Sequence, residues 1–527
     1  MRRALPATAL AVALTASSCS LVEGLGGDTL RVLAGSEVAD LEPLLEEVSE
    51  RTGVEVELDY SGTLDGLARV AAGDTGDYDA VWFASNRYLH LHEGGRTAVH
   101  TETPIMVSPV VLGVAESRAE TLGWGEGAEV TWADVAEAVA DEELTYGMTN
   151  PGASNSGFSA LIGIASALAD TGSALRGEDV ERVRPELAEF FEGQEVTAGS
   201  SGWLAQDFER RARQGRPVDG MINYESVLLS VNASGVLEEP LTLVHPADGT
   251  VTADYPLTLL AGPSEETLSA YERLVGDLLS EETQQRIADE TRRRPVAPGA
   301  SLTAEVPPLV ELPFPAQLEV VDGLVADYVG ALRRPARTVY VLDVSESMEG
   351  DRIEDLRSSL AALTGADGGS LARRTQAFQE REEVTLLPFS TEPGEPSTFV
   401  MEPGTAESAA ADLAEEVRSL EADGDTAAYD ALREAYELLD SAPRDDHLTS
   451  VVLMTDGEVN RGSTLEDLRA ALDGMPRDVA ATPLFTVLFG ESNEEEMTEL
   501  AELTGGRVFD ARERDLEQVF REIRGYQ

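Results

Sequence analysis

Three oxygen-bearing side chains stand at alternate positions directly after an apolar, β-rich run in the second half of the sequence. The segment reads RTVYVLDVSESM, from Arg337 to Met348, and the three residues are Asp343, Ser345 and Ser347. A buried parallel strand that ends in a loop is where open α/β sheets bind ligands. Hard oxygen atoms gathered at such an edge suit Mg²⁺ or Mn²⁺. The spacing therefore predicts a divalent-cation site.

Two later segments supply further oxygen atoms in comparable contexts. Thr426 precedes a predicted helix in GDTAAYDAL, and Asp456 follows a second apolar run in VVLMTDGEVN. Taken singly, the serines would also serve as helix caps and TDG as a turn. Taken together and in this order, DxSxS, Thr and Asp resemble the metal-ion-dependent adhesion site of von Willebrand factor A domains.

This resemblance covers residues 337–527 and implies a doubly wound, Rossmann-like α/β domain, in keeping with the alternating helix and strand patterns there. In that family the hydroxyl residues contact the metal, the aspartates bind it directly or through water, and a carboxylate of a protein partner completes its coordination. The residues that match are Asp343, Ser345, Ser347, Thr426 and Asp456. Glu346 departs from the pattern, because the family usually has a small residue between the serines.

Composition excludes several classes of function. The 527 residues include 98 acidic and 39 basic side chains, for a net charge of −59, which disfavours nucleic acid and anionic membrane surfaces as partners. None of the basic residues is lysine, so a Walker A loop and a pyridoxal Schiff base are excluded. Of the five histidines, His90 and His92 could together ligate zinc, but no partner motif accompanies them. We expect a protein that is not an enzyme.

The N-terminus has the pattern of a secretory signal. Arg2 and Arg3 precede an apolar run and then small residues that end at Cys19, the only cysteine. This arrangement resembles a bacterial lipobox, which implies a lipoprotein signal peptide at 1–18, lipidation of Cys19 and a tether at 19–27. The chain is thus expected on the extracytoplasmic face of the cell membrane, attached only through its lipid anchor.

From residue 28 onward, strand and helix patterns alternate, which predicts α/β architecture. Small hydroxyl or amide residues follow each predicted strand and should meet at the carboxyl edge of one sheet. These residues are Ser36, Ser61, Thr63, Ser85 and Asn86. Their convergence predicts a ligand cleft.

A second lobe is predicted after MVSPVVLGVAES, and VHPADGTVTADYPLTLL would return the chain to the first lobe. With TNPGASNSG and NYES, these segments make residues 28–312 resemble two-lobed type 2 solute-binding proteins, the receptors of ABC importers, particularly those for oxyanions. The resemblance implies that Ser154, Ser156 and Gly157 face an anion at a helix N-terminus and that Tyr224 lines the cleft.

Two alternatives remain open for this lobe. The serines are also preferred helix caps without any ligand. In addition, Glu225 in the cleft would oppose an oxyanion, so a cationic, peptide or carbohydrate solute stays possible.

Residues 313–336 form a predicted connector between the two domains. Its apolar side chains repeat at helical spacing from about Gln317 to Leu332, so this helix should pack on a neighbouring domain.

The sequence thus predicts a cell-surface lipoprotein. Its A domain would bind Mg²⁺ and, through it, a protein partner, and its N-terminal domain would receive a small solute. The alternative is the solute receptor of an ABC importer, with the A domain as an accessory dock.

Overall fold

The computed structural model of the protein describes residues 28–125, 127–365, 370–443, 447–457, 459–512 and 514–527. Cys19, the predicted signal peptide and the tether lie outside these residues.

The first lobe is built on a five-stranded sheet with the order β2-β1-β3-β11-β4. Strands β1, β2 and β3 are parallel, whereas β11 runs antiparallel to β3 and β4. The elements that begin this lobe are β1 (Asp28–Ala34), α1 (Glu42–Thr52), β2 (Val54–Tyr60), α2 (Thr63–Ala71), β3 (Ala80–Trp82), α3 (Arg87–Leu91), α4 (Glu93–Ala98) and β4 (Val99–Pro104). A 3₁₀ turn at Ser36–Leu41 follows β1.

The second lobe has its own sheet, with the order β10-β5-β8-β6-β7 and with β9 and β12 also paired to β5. Its elements are β5 (Met106–Ala115), α5 (Glu116–Leu122), α6 (Trp132–Ala140), β6 (Tyr146–Thr149), α7 (Asn155–Ala169), α8 (Gly177–Glu192), β7 (Gln194–Ala198), α9 (Ser201–Arg213), β8 (Gly220–Tyr224), α10 (Glu225–Ser234), β9 (Leu241–Val244) and β10 (Thr252–Ala253).

The chain crosses between lobes at 104–106 and again at 253–256, where the sequence predicts both crossings. After the second crossing come β11 (Pro256–Leu260), α11 (Glu265–Leu278) and α12 (Glu281–Thr291), followed by β12 (Arg294–Pro295), which pairs with β5.

The connector helix α13 (Leu318–Asp327) continues as one π-helical turn at Tyr328–Leu332. Its apolar side chains, including the fully buried Val321 and Tyr328, belong to the core of the N-terminal domain. The Tyr328 hydroxyl donates to Oε1 of Gln194 at 2.8 Å. The connector is therefore packed on this domain, as its periodicity predicts.

The C-terminal domain is a six-stranded sheet, order β15-β14-β13-β16-β17-β18, in which only the edge strand β15 is antiparallel. Its elements are β13 (Ala336–Asp343), α14 (Asp351–Ala362), α15 (Leu371–Gln376), β14 (Glu383–Phe389), β15 (Ser397–Val400), α16 (Ala406–Ser419), α17 (Ala428–Ser441), β16 (Leu448–Thr455), α18 (Leu465–Asp473), α19 (Arg477–Ala480), β17 (Leu484–Leu488), α20 (Glu494–Thr504), β18 (Val508–Asp510) and α21 (Leu516–Arg524).

All eight residues of the central strand β13 are buried, because helices cover both faces of the sheet. Two separate apolar clusters lie on its two sides. The carboxyl end of β13 lies at one edge of the sheet, and this edge carries the candidate site.

The two domains pack together at the opposite, amino-terminal edge of this sheet. The rings of Trp203 in α9 and Tyr526 after α21 meet edge to face at 5.1 Å. Helix α15 contacts both α2 and α13. Nearby, Glu382 accepts from Arg333 at 2.5 Å and from Arg524 at 2.6 Å, and all three side chains are buried. This triad ties the connector to the start of β14 and to the C-terminal helix α21.

Candidate functional site

The first carboxylate of the predicted metal site lies at the end of β13, next to β16. Asp343 is fully buried. Its Oδ1 accepts from the backbone N–H of Ser345 at 2.8 Å, and its Oδ2 accepts from the hydroxyl of Thr455 at 2.5 Å. Strand pairing and the following turn therefore fix both oxygens of this carboxylate.

The second carboxylate comes from the loop after β16. Asp456 accepts through Oδ1 from the Ser347 hydroxyl at 2.7 Å, and the hydroxyl oxygens of Ser345 and Ser347 are 3.0 Å apart. Asp456 and Ser345 are almost fully buried, whereas Ser347 is exposed. The structure thus brings four of the five predicted residues into one hydrogen-bonded group.

The fifth residue, Thr426, is buried at the start of α17. Backbone hydrogen bonds hold its loop against the serine loop: Glu346 donates to Gly424 at 2.9 Å, and Asp423 donates to Val344 at 2.8 Å. These bonds place the Thr426 loop beside the serines. The exposed Glu346 therefore has a backbone role that a small residue would also fill.

Two carboxylates and one guanidinium determine the electrostatics of this edge. Burial raises the pKa of Asp343, hydrogen bonds from Thr455 and Ser345 oppose that shift, and the charge of Asp456 adds to it. Sequence reasoning missed Arg352, whose guanidinium forms an ion pair with Asp456 and donates to the Ser347 carbonyl at 3.2 Å. The arginine balances one carboxylate and leaves the other without a counter-charge in this group.

The donor set fits Mg²⁺ or Mn²⁺ in kind, because it consists of carboxylate and hydroxyl oxygens only. Among the described residues no group of three or more His, Cys, Asp or Glu is placed to hold a metal. A cation here would therefore depend on the serine and threonine hydroxyls.

The two histidines that could bind zinc contact different residues. His90 contacts Glu102 at 3.0 Å, whereas the His92 ring packs on Tyr88 at 4.9 Å. These contacts do not bring His90 and His92 together as a zinc-binding pair.

In the first lobe, the predicted cleft residues have separate surroundings. Ser36 is exposed, and the Ser61 hydroxyl donates to the neighbouring Gly62 carbonyl at 3.3 Å. The buried Thr63 hydroxyl has no hydrogen-bond partner among the described residues. The remaining two take local roles: Ser85 accepts from the Arg87 backbone at 3.3 Å, and Asn86 donates to Thr258 at 2.7 Å.

In the second lobe, the predicted serines form a buried network. The Ser156 hydroxyl lies 2.7 Å from Thr149, 3.2 Å from Ser154 and 2.7 Å from Ser201. These hydroxyls therefore bond to one another at the start of α7. Gly157 has a packing role, since a Cβ there would lie 2.0 Å from the Thr149 carbonyl oxygen.

Tyr224 ends β8 and Glu225 begins α10, and the two side chains have different partners. The Tyr224 hydroxyl accepts from Asn155 at 2.9 Å, at the N-terminus of α7. Glu225 is buried and contacts His245 at 2.5 Å and Arg294 at 2.7 Å. Burial raises its pKa, but these two hydrogen bonds outweigh burial and lower it. Glu225 thus stays ionised, and its charge is paired with Arg294, which offsets its opposition to an oxyanion.

Sequence reasoning also missed two charged residues, Arg293 and Glu37. The guanidinium of Arg293 is almost fully buried, pairs with Asp40 at 2.8 Å and lies 4.9 Å from the Tyr255 ring. Burial raises the pKa of Glu37, and the Arg293 charge and the Asn155 backbone N–H oppose that shift. The run of three arginines at 292–294 was the only signal in the sequence.

Both Arg293 and Glu37 line an interdomain cavity of about 1020 Å³. One wall comes from the N-terminal domain, including Ser36, Tyr224 and helix α9, and the facing wall comes from α20 and residues 505–508. Two of the predicted cleft residues thus face a space that the C-terminal domain helps to enclose.

Comparison with known proteins identifies both halves. Residues 30–290 match the family model of bacterial extracellular solute-binding proteins, and residues 338–458 match that of the von Willebrand factor type A domain. The chain therefore contains a solute-binding domain followed by a von Willebrand factor A domain. The predicted α/β fold class, a two-lobed binding protein followed by a doubly wound A domain, is confirmed.

Solved structures similar to the N-terminal part include three periplasmic or ion-binding proteins. The periplasmic binding protein AfuA of Actinobacillus pleuropneumoniae has 13% identity and a TM-score of 0.45, over 57% of this chain and 98% of that one. The Bordetella ferric binding protein has 17% identity and a TM-score of 0.39, over 56% and 99%. The sulfate-binding protein SubI of Mycobacterium tuberculosis H37Rv has 18% identity and a TM-score of 0.39, over 51% and 88%. No curated protein matches the chain.

In the described part of the chain, every helix is too short or too polar to cross a membrane.

Proposed function

We propose that the A domain binds one Mg²⁺ or Mn²⁺ and, through it, the carboxylate of a protein partner. The observation that carries the proposal is the hydrogen-bonded group at the end of β13 and β16, where two buried carboxylates meet serine hydroxyls. The proposed ligands are Asp343, Ser345, Ser347, Thr426 and Asp456.

Electrostatics explain why such a site would accept a partner's carboxylate. Two close carboxylates repel each other, and a divalent cation relieves that repulsion. Neutral hydroxyl ligands leave part of the cation's charge unbalanced, so an acidic side chain is favoured as the last ligand. The exposed Ser347 marks the side from which that ligand would approach.

The domain arrangement supports access for a partner. The N-terminal domain packs on the amino-terminal edge of the A-domain sheet, through Trp203 and Tyr526, whereas the candidate metal site lies at the carboxyl edge. A partner would therefore meet the metal site without displacing the solute-binding domain.

The remaining parts of the proposal concern the solute and the membrane. The N-terminal domain would bind a small solute between its lobes and against the interdomain cavity. The lipobox-like sequence that ends at Cys19 supports a lipid anchor on the extracytoplasmic face of the membrane.

Titration of the protein with Mn²⁺, followed by electron paramagnetic resonance, tests the metal site. The wild type should bind one Mn²⁺ that Mg²⁺ displaces, and the Asp343→Ala, Asp456→Ala double variant should bind none. Asp355→Asn, an exposed residue of α14, is the matched control. Equal binding by the double variant would refute the metal site.

Capture of a partner tests the second half of this proposal. Chemical cross-linking on intact cells and mass spectrometry should recover the same protein with Mg²⁺ and lose it with EDTA. Recovery that EDTA does not change would exclude a metal-bridged partner.

A second candidate function is the solute receptor of an ABC importer. It is favoured by the match of residues 30–290 to extracellular solute-binding proteins and by the hydroxyl network at the start of α7. Calorimetry with sulfate, phosphate, molybdate and tungstate tests the oxyanion assignment. Binding of one of them, weakened in Asn155→Ala, would support it, and the absence of heat from all four would exclude it.

A further inference from the structure

The interdomain cavity has the size of a small-molecule site and walls from two domains. Its volume of about 1020 Å³ exceeds the needs of one inorganic oxyanion and lies near the upper end of typical ligand sites. Helix α9 forms the wall on the solute-binding side. The corner between α20 and β18 forms the wall on the A-domain side.

Each wall contributes arginine side chains to this space. Arg210 and Arg213 lie near the end of α9, and Arg507 lies just before β18. The Arg210 guanidinium packs on the A-domain backbone, since a Cβ at Gly505 would lie 2.2 Å from its Cζ. Guanidinium groups of the two domains thus line one cavity.

Stacking holds the A-domain arginine in place. The Arg507 Cζ lies 5.3 Å from the ring centroid of Phe509 and 5.4 Å from that of Tyr526, whose hydroxyl accepts a hydrogen bond from it. A side chain fixed in this way loses little conformational entropy when it binds an anion.

The positive charge of these arginines is not fully balanced. The single carboxylate of Asp207 is shared by Arg210 and Arg211. In the described part of the chain no carboxylate forms an ion pair with Arg213 or Arg507. Burial, and then the charges of neighbouring arginines, lower the pKa of Arg210 to about 10, so it stays protonated at neutral pH.

Three carboxylates also line the cavity, but two of them are compensated or disfavoured as anions. Asp40 is paired with Arg293, and burial raises the pKa of Glu37. Only the exposed Glu502 faces the arginines from the A-domain wall without such a constraint. The arginines therefore outnumber the free carboxylates here, in a chain whose net charge is −59.

The start of α9 adds neutral donors to the same space. Ser200, Ser201 and Gly202 line the cavity, and this helix is 13 residues long. Backbone N–H groups of a first helical turn have no partner within the helix and favour an anion.

We propose that the interdomain cavity binds a small organic anion, bearing phosphate or carboxylate groups, between Arg210 and Arg213 of the solute-binding domain and Arg507 of the A domain. Arginine suits such groups because its planar fork donates two parallel hydrogen bonds. The proposal rests on the solute-binding part of the proposed function and adds that the A domain is part of the solute site. A bound anion would hold the two domains together, because it binds only the docked arrangement.

Calorimetry with three probes tests the proposal: inorganic phosphate, glycerol 3-phosphate and citrate. The wild type should bind at least one of them, and Arg507→Gln and Arg213→Gln should each weaken that binding by about tenfold to a hundredfold. Arg507→Lys keeps the charge and should lose less. Arg418→Gln, at an exposed position of α16, is the matched control and should bind as the wild type does.

The outcomes separate this inference from the proposed function. Circular dichroism and thermal unfolding without the probe establish that each variant is folded. Equal affinity of wild type and Arg507→Gln would overturn the inference, and a loss confined to Asn155→Ala would then place the solute between the lobes alone. No heat from any probe at millimolar concentration would also overturn it, and the Mn²⁺ titration would be unaffected.

Discussion

The hydroxyl of Ser347 donates a hydrogen bond of 2.7 Å to Oδ1 of Asp456, across 109 residues of chain. This bond joins the loop after β13 to the loop after β16, so the carboxyl ends of both strands of the central pair contribute to one polar group. The other oxygen of Asp456 is held by Arg352. The second carboxylate of the candidate metal site thus has both oxygens engaged by the protein.

Arg352→Gln should raise the affinity of the A domain for Mn²⁺. The guanidinium compensates the Asp456 charge, and its removal leaves that charge to the cation. Mn²⁺ titration by electron paramagnetic resonance should show a dissociation constant lower than that of the wild type. Arg357→Gln, on the same helix but bonded to the Leu420 carbonyl, is the control. An unchanged or higher dissociation constant in Arg352→Gln would show that the arginine does not oppose the cation.

Glu382→Ala should destabilise the protein by about 3–5 kcal/mol, because it leaves two buried guanidinium groups, those of Arg333 and Arg524, without their shared carboxylate. Denaturant unfolding measures the change. Glu383→Ala is the neighbouring control: its carboxylate pairs with Arg337 but is partly exposed, so a cost of about 1 kcal/mol is expected. Equal costs for both variants would contradict a special role for the buried triad.

Gly157→Ala should destabilise the solute-binding domain by about 1–3 kcal/mol, since the new Cβ would meet the Thr149 carbonyl oxygen at 2.0 Å. Gly163→Ala, in the same helix, has only ordinary contacts at 3.6 Å or more and should be neutral or stabilising by about 0.5–1 kcal/mol. Thermal unfolding distinguishes the two. A neutral Gly157→Ala that lost solute binding would instead assign this glycine to the ligand.

The His90 and Glu102 pair should make stability depend on pH near neutrality. The hydrogen bond that the His90 ring donates to the Glu102 carboxylate raises the pKa of His90 above its ordinary 6.5, and burial only partly opposes this. A raised pKa means that the stabilisation is complete below the ordinary value and is lost as pH rises through the raised one.

The free energy of unfolding of the wild type, relative to His90→Gln, should therefore fall as the pH rises from 6.5 through the raised pKa of His90. Both side chains are more than a third exposed, so we expect a change below about 1 kcal/mol. Urea unfolding across this range measures it, with His100→Gln as an exposed control in the same lobe. A difference that stays constant over the range would exclude this titration.

Cys19→Ala should release the protein from the membrane into the medium without preventing secretion, because the proposed anchor is attached to that sulfur. Cell fractionation and intact-mass measurement of the wild type test this, and Ser18→Ala, which keeps the cysteine, is the control. A wild-type N-terminus without acyl mass would exclude the lipid anchor.

The candidate metal site was largely predictable from the amino-acid sequence. An apolar run that ends in DxSxS must place its oxygens where a buried strand stops, and parallel strands share one carboxyl edge. Asp343, Ser345, Ser347 and Asp456 therefore meet as expected. Arg352 was not predictable, because whether a first-turn arginine folds back to a carboxylate depends on the three-dimensional path of the loop.

The solute cleft was less predictable, since a hydroxyl in a strand-end loop can bond to a solute or to its own neighbours. The sequence marked Ser154 and Ser156 correctly as helix-start residues, but only the structure assigned their hydroxyls to a network with Thr149 and Ser201. The same holds for Glu225, whose charge is compensated by residues distant in the chain.

By itself, the sequence determined the order of the two α/β domains and the residues of the candidate metal site, because hydrophobic periodicity and motif spacing are local properties. Only the tertiary structure decided that the A domain packs against the solute-binding domain through its amino-terminal edge, and that Arg210 and Arg507 then face one cavity. Such packing depends on the complementarity of two folded surfaces. These surfaces form only after each domain has buried its own core.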